Sequence, residues 1–126
     1  MRLIVLACGP MNLLGAVSFS PPFPDGRTAL GLAEAPPFYL WVIASWILAF
    51  GFAYFWQGFT GRADRTFLSV GAFGKASFAV LLIGLTVQGD IKPLAIAAAL
   101  PDLVLAIVFL GWLIRHRNKD SATSVQ

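Results

Sequence analysis

Three polar side chains of this sequence lie inside long apolar runs: Asn12, Lys75 and Asp102. A lone charge in hydrocarbon costs at least about 2.5–3.5 kcal/mol, so lysines and carboxylates in such positions usually find partners. We therefore predict a Lys75–Asp102 ion pair, with Asn12 as a hydrogen-bonding third member. Such a cluster would suit a ligand site or a proton- or ion-responsive site. The alternative interpretation is that the pair only fixes the helix register.

An aromatic-rich run over residues 38–59 supplies a second candidate site. Four of its side chains would form a wall for a flat or greasy ligand, such as a quinone or a sterol-like lipid: Trp46, Phe50, Tyr54 and Gln57. In this arrangement Gln57 would provide the polar contact. The alternative interpretation is anchoring at the membrane interface, where Trp and Tyr are enriched, together with ordinary helix packing.

The remaining reactive residue types argue against an enzyme. Cys8 is the only cysteine, which excludes an intramolecular disulfide, a CxxC redox pair and a multi-cysteine metal site. His116 is the only histidine and lies in a basic tail, so we expect no histidine-based metal or haem site. We find no serine–histidine arrangement and no phosphate-binding glycine loop. We expect no catalytic residue, no metal and no cofactor, and an enzymatic function is the least supported alternative.

Composition places these residues in an all-α, polytopic membrane four-helix bundle. Hydrophobic residues make up 58% and charged residues 12% of the 126 residues, whereas soluble domains have roughly 45–50% and about 25%. About 20 apolar residues are needed for a helix to cross a bilayer. We predict a domain over residues 1–114 with spans at about 3–19, 38–59, 67–87 and 94–114. Residues 115–126 are predicted to form a disordered basic cytoplasmic tail.

The positions of the polar residues within these spans predict a common depth. At about 1.5 Å per residue, Asn12, Lys75 and Asp102 lie roughly 13, 12 and 18 Å from the same membrane face. The cluster is therefore expected near the bilayer midplane. Pro10 and Pro101 lie close to Asn12 and Asp102 and are expected to weaken their helices there.

Basic residues outside the spans predict the orientation. The side that carries both termini and the 60–66 loop has six of them: Arg2, Arg62, Arg65, Arg115, Arg117 and Lys119. The opposite side has only Arg27 and Lys92. Short cytoplasmic loops are enriched in Lys and Arg, so both termini are predicted to be cytoplasmic. Three spans would remain if the short first span were cleaved or lay on the surface.

Small residues and prolines predict how the spans pack and are capped. Ala72 with Ala76, and Ala95 with Ala99, have the small-xxx-small spacing that permits close helix approach. This spacing fits packing within one chain as well as it fits a homodimer. Residues 20–37, with five prolines, are expected to cap the outer mouth of the bundle or to form an ordinary constrained loop.

Three local strings accompany a resemblance in layout: Asn12-Leu13-Leu14-Gly15-Ala16, Gly71-Ala72-Phe73-Gly74-Lys75 and Pro101-Asp102-Leu103. In these strings and in layout the chain resembles short four-helix proteins of the bacterial inner membrane. In size and number of spans it is similar to DoxX-like proteins, some of which are linked to quinone chemistry. The resemblance implies a multi-pass protein of the cell inner (plasma) membrane. Small multidrug transporters share the length, but they carry an acidic residue in the first helix, where this chain has Asn12.

Together these patterns predict a small integral membrane protein of a non-catalytic type. It would bind a lipid-like ligand, or a membrane partner complex, through its aromatic and small-residue faces. The alternative is a proton- or ion-coupled small-molecule transporter that uses the Lys75–Asp102 pair. The expected partners are membrane lipid and either a second copy of the chain or a larger membrane complex. No nucleic acid is expected, because the basic residues are few and scattered.

Overall fold

Five α-helices and no strands make up the described part of the chain in this computed structural model. The backbone is described for residues 1–123 and the side chains for residues 1–116. The helices are α1 (Arg2–Phe19), α2 (Asp25–Leu30), α3 (Pro37–Thr60), α4 (Arg65–Gln88) and α5 (Leu94–Thr123). All except α2 are long and apolar enough to cross a membrane. The predicted all-α fold with four membrane-length helices is confirmed.

Local chemistry accounts for several helix ends. Gly31, Gly61 and Gly89 follow α2, α3 and α4 with φ angles of 76°, 68° and 84°, a left-handed conformation that glycine adopts without a Cβ clash. At the start of α4 the carboxylate of Asp64 accepts a hydrogen bond of 2.7 Å from the backbone N–H of Phe67. This bond satisfies one of the N–H groups that a helix leaves unpaired in its first turn.

Two segments differ from the sequence-based prediction. Helix α5 continues past the predicted end of the span at residue 114 as far as Thr123; residues 124–126 lie outside the described part, and the disorder and cytoplasmic position of the tail stay predictions. No glycine or proline follows Gly111, and Arg and Lys favour helices, so nothing local stops α5 at 114. The second difference is α2, a short helix within the proline-rich segment 20–37.

The long helices are arranged as two closely packed pairs. Helix α1 packs along α3 and α4 packs along α5, whereas close backbone approach between the pairs is limited to α2 against α5 in the described residues. Small residues allow this approach, since a Cβ on Gly51 would lie 3.2 Å from the Cβ of Asn12. Between α4 and α5, Ala79, Ala95 and Ala99 are fully buried. The predicted Ala95–Ala99 spacing thus serves packing within one chain.

The space between the two pairs is filled at one end and open at the other. At the end near the termini, it is occupied by a core of buried side chains, which are Val5, Cys8, Tyr54, Leu68, Ala72 and Phe109. At the end beneath α2, it holds a cavity. We call these two parts the packed half and the cavity half.

Candidate ligand cavity

The three polar residues singled out in the sequence meet at the wall of the cavity. Lys75 Nζ in α4 lies 2.5 Å from Asp102 Oδ1 in α5. The same ammonium lies 3.5 Å from Asn12 Oδ1 in α1, to which it donates a hydrogen bond. The predicted ion pair and its third member are therefore present as a contact, and their function stays a prediction. We call these three residues the polar cluster.

Groups from α3 complete the surroundings of the polar cluster. Asn12 Nδ2 donates to the backbone carbonyl of Ile47 at 3.3 Å. Lys75 Nζ lies 5.7 Å from the centroid of the Tyr54 ring, which is within the range of a cation–π interaction. Lys75 is 7% exposed, whereas the side chain of Asp102 is 18% exposed. The cluster thus links all four long helices, and Asp102 keeps part of its surface free.

The cavity beside the cluster has a volume of about 430 Å³. Small-molecule sites in proteins usually occupy about 300–1,000 Å³ and combine apolar walls with a few polar groups. All five helices contribute to the lining, and most of it is apolar, including Leu14, Leu30, Trp46, Phe50, Phe78 and Pro101. The polar cluster supplies the charged part of the wall. The cavity therefore has the size and the lining of a site for a small amphiphilic molecule.

The cavity opens to the surface of the bundle between the two helix pairs, including the side between α3 and α4. Trp46 of α3 and Val70 of α4 line the cavity, yet they are 65% and 49% exposed on the surface of the bundle. A smaller groove of about 150 Å³ shares Trp46 and Phe50 with the cavity and continues to Phe67. In a membrane this surface faces lipid, so the opening leads into the bilayer.

Helix α2 closes the end of the cavity half, and Arg27 attaches it to α1. Arg27 is 8% exposed. Its Nη1 donates to the carbonyls of Ser18, Ser20 and Phe23 at 3.0, 2.7 and 3.4 Å. These carbonyls belong to the last turn of α1 and the turn that follows, where a helix leaves its carbonyls unpaired. A residue counted in the sequence only as a loop charge therefore caps α1.

Lys92 attaches the other end of α2 to the connection between α4 and α5. Its Nζ donates to the carbonyl of Thr28 at 3.0 Å, and its backbone N–H donates to the carbonyl of Leu30 at 2.9 Å. A Cβ on Gly31 would lie 2.8 Å from Cγ of Lys92, so glycine is needed here for space as well as for its φ angle. Of the two interpretations of this segment, the structure supports the cap.

The structure divides the predicted aromatic wall. Trp46, Phe50 and Tyr54 line the cavity, but Gln57 does not, because it lies one turn closer to the end of α3. The Oε1 atom of Gln57 instead accepts a hydrogen bond of 3.3 Å from the backbone N–H of Asp64. The ligand contact that we predicted for Gln57 stays a prediction, and the charged groups that line the cavity are those of the polar cluster.

Sequence reasoning missed the hydroxyl of Tyr54. Tyr54 is 1% exposed and lines the cavity, and its hydroxyl makes no hydrogen bond within the described part of the chain. A Cβ on Gly71 would collide with this hydroxyl. The sequence signal was the glycines at positions 71 and 74, both of which line the cavity.

The other candidate groups lie away from the cavity. Cys8 is buried in the packed half, and His116 stacks on Trp112 with ring centroids 4.5 Å apart. Among the described residues, no three His, Cys, Asp or Glu side chains are grouped so that they could hold a metal ion. The polar groups at the cavity are thus one ion pair, one amide, one phenol and the hydroxyl of Ser18, which donates to the carbonyl of Leu14. This set is suited to binding a polar group.

Comparison of the chain with protein-family models, with curated proteins and with solved structures gave no match.

Proposed function

We propose that this protein binds a lipid-like small molecule in its cavity and that its role is non-catalytic. The observation that carries the proposal is a mostly apolar cavity of about 430 Å³ with one polar cluster in its wall and an opening toward lipid. The apolar body of the ligand would lie against Trp46, Phe50 and Phe78. Its polar end would reach the cluster, where a polar group in hydrocarbon finds the partners it needs.

Native mass spectrometry of the protein released gently from its own membrane tests this function. We expect a stoichiometric small-molecule adduct on the wild-type chain and its loss in Gly74→Leu. A Cβ on Gly74 meets no atom within 4 Å and Gly74 lines the cavity, so a larger side chain there fills the cavity without straining the fold. Gly84→Leu is the matched control, because its Cβ also enters open space but does not border the cavity.

Other outcomes of this measurement would contradict the proposal. A second, stoichiometric protein in place of a small molecule would make the chain a subunit of a larger membrane complex. A homodimer without an adduct would leave the cavity without a ligand. Equal loss of the adduct in Gly74→Leu and Gly84→Leu would show that the molecule binds to the outer surface of α4.

We also propose that the protein lies in the inner (plasma) membrane with both termini in the cytoplasm. The support is the excess of Lys and Arg on the side of the termini and the connection between α3 and α4, six against two. A green fluorescent protein fused after residue 126 is expected to fluoresce, and alkaline phosphatase fused after residue 34 is expected to be active. The reverse pattern would overturn the orientation.

A proton- or ion-coupled transporter is the second candidate, and the position of the ion pair favours it. Lys75 and Asp102 form part of the wall of a cavity that opens to its surroundings, and Pro101 lies beside the carboxylate. In proteoliposomes a transporter would show a flux that depends on the pH gradient and disappears in a folded Lys75→Met/Asp102→Leu variant. A ligand-binding protein would show no such flux in either form.

A further inference from the structure

We propose that the ligand of this cavity is an uncharged amphiphile whose polar end is a hydroxyl group, as in an alcohol or a phenol. The inference rests on the proposed function and specifies the chemical class of the ligand. It follows from the hydrogen-bonding capacity that the cavity wall leaves unused and from the charge of that wall.

The donors of Lys75 are engaged within the protein. Its ammonium carries three N–H bonds. Asp102 Oδ1 lies 2.5 Å from the ammonium nitrogen, Asn12 Oδ1 lies 3.5 Å from it, and the centroid of the Tyr54 ring lies 5.7 Å from it. A ligand that needs a cation, such as a carboxylate or a phosphate, would have to displace one of these contacts.

Three groups at the same wall keep unused capacity. Oδ2 of Asp102 accepts no hydrogen bond from the described residues, although an ionised carboxylate can accept about four. The hydroxyl of Tyr54 has no partner there either. Asn12 Nδ2 uses one of its two N–H bonds, to Ile47. The wall thus offers a strong acceptor beside two donors.

A hydroxyl group matches this combination with a single atom. It donates one hydrogen bond, which Asp102 accepts, and it accepts from the phenol of Tyr54 or the amide of Asn12. A ketone or an ether only accepts and leaves Asp102 unsatisfied. The ion pair is neutral as a whole, so a ligand carboxylate would face the charge of Asp102 and an amine would face that of Lys75, both at low dielectric.

A competition between four ligands with the same alkyl chain tests the inference: undecanol, undecyl methyl ether, undecanoic acid and undecylamine. They are added at equal mole fraction in the detergent phase to the purified full-length protein, and native mass spectrometry measures the adducts. We expect about tenfold more alcohol than ether on the wild-type chain, the ratio that a hydrogen bond to a charged group provides. Acid and amine should bind less than the alcohol.

Substitutions test whether the preference for the alcohol comes from the polar groups in the cavity wall. Tyr54→Phe removes a donor from which an alcohol and an ether both accept, so it should lower the binding of both about threefold or more and leave their ratio unchanged. In the neutral double variant Lys75→Met/Asp102→Leu the alcohol-to-ether ratio should fall to about one. Phe78→Leu is the control, because it changes an apolar part of the lining and should lower binding of all four ligands without changing their order. If the double variant fails to fold, the order of the four ligands on the wild-type chain carries the test.

Two kinds of failure are distinguishable. Equal binding of alcohol and ether, preference for the acid or the amine, or an unchanged ratio in the folded double variant would overturn the hydroxyl inference and leave the cavity as a binding site. If none of the four ligands binds the wild-type chain more than it binds Gly74→Leu, the proposed function fails as well.

Discussion

The packed half and the cavity half are built from the same helices but differ in the side chains placed between the helix pairs. In the packed half the Tyr54 ring lies 5.0 Å from that of Phe67 and 6.0 Å from that of Phe109, measured between centroids. In the cavity half α4 presents Gly71 and Gly74 to the same space. The difference shows how a small bundle combines rigidity and a ligand-sized space without a separate domain.

The polar cluster marks the boundary between the halves. Tyr54 belongs to the packed core and also lines the cavity, and the ammonium of Lys75 lies over its ring. Rigid packing on one side therefore holds the polar groups that face the space on the other side. Variants that act on one half should thus differ in kind from variants that act on the boundary.

The largest effect is expected from breaking the ion pair at the boundary. Asp102→Leu or Lys75→Met alone leaves one buried charge unpaired, which should lower the free energy of unfolding by about 3–5 kcal/mol. The double variant should recover most of this loss. Unfolding by SDS in mixed micelles measures it, with Asp90→Asn, at an exposed turn, as the control. If the loss of stability in the double variant equals the sum of the two single losses, Lys75 and Asp102 are not energetically coupled.

Truncating one aromatic residue in each half should show the difference in packing directly. Phe109 is fully buried, so Phe109→Ala is expected to cost about 3 kcal/mol, because the side chains around the missing ring are left facing a void. Phe78 already borders the cavity, and Phe78→Ala should cost about 1 kcal/mol, since fewer atoms surround its ring. The same unfolding measurement compares them. Equal costs would mean that the cavity is filled in the folded protein.

The same substitution at two glycines of α4, three residues apart, should change the free energy of unfolding in opposite directions. A Cβ on Gly71 collides with the Tyr54 hydroxyl, and this ring is held by its neighbours, so Gly71→Ala should destabilise the fold by about 1–3 kcal/mol. A Cβ on Gly74 meets nothing within 4 Å, so Gly74→Ala should stabilise it by up to about 1 kcal/mol through helix propensity. Matching signs would contradict the assigned geometry of Tyr54.

The smallest effect on the global free energy of unfolding is expected at the cap of the cavity half, where the change is local. Arg27→Met removes the donor shared by three carbonyls. It should lower the free energy of local opening of residues 17–23 by about 1–2 kcal/mol, which hydrogen–deuterium exchange measures. Lys92→Met removes one exposed side-chain bond and should change exchange there by less than about 0.5 kcal/mol. A larger effect of Lys92 would show that α2 is held mainly through α5.

The spans and the polar cluster were predictable because both follow from large energies. Apolar runs of span length have few alternatives to a membrane, and a charge in hydrocarbon requires a partner. Given the rise of an α-helix, the positions of Lys75 and Asp102 placed them at similar depths. The contact between them then followed from the short distance that a lysine side chain spans.

The cavity was not predictable, because hydropathy does not say which face of a membrane helix points inward. Lipid and the bundle interior are both apolar, so the rotation of each helix is set by packing shape. This is why Tyr54 and Gln57, three residues apart in α3, were equivalent in the sequence, while only Tyr54 lines the cavity. Helix α2 was missed because six residues between prolines and Gly31 carry little helical signal.

The sideways opening between α3 and α4 affects how the concentration of a ligand should be expressed for this protein. A ligand of this cavity would exchange with the bilayer, so the occupancy of the cavity would follow the mole fraction of the compound dissolved in the membrane. Each added methylene group raises membrane partitioning by about 0.8 kcal/mol, or about fourfold, before any contact with Trp46 or Phe50 is gained. Ligands ranked by their concentration in water would therefore be ranked largely by their solubility in oil.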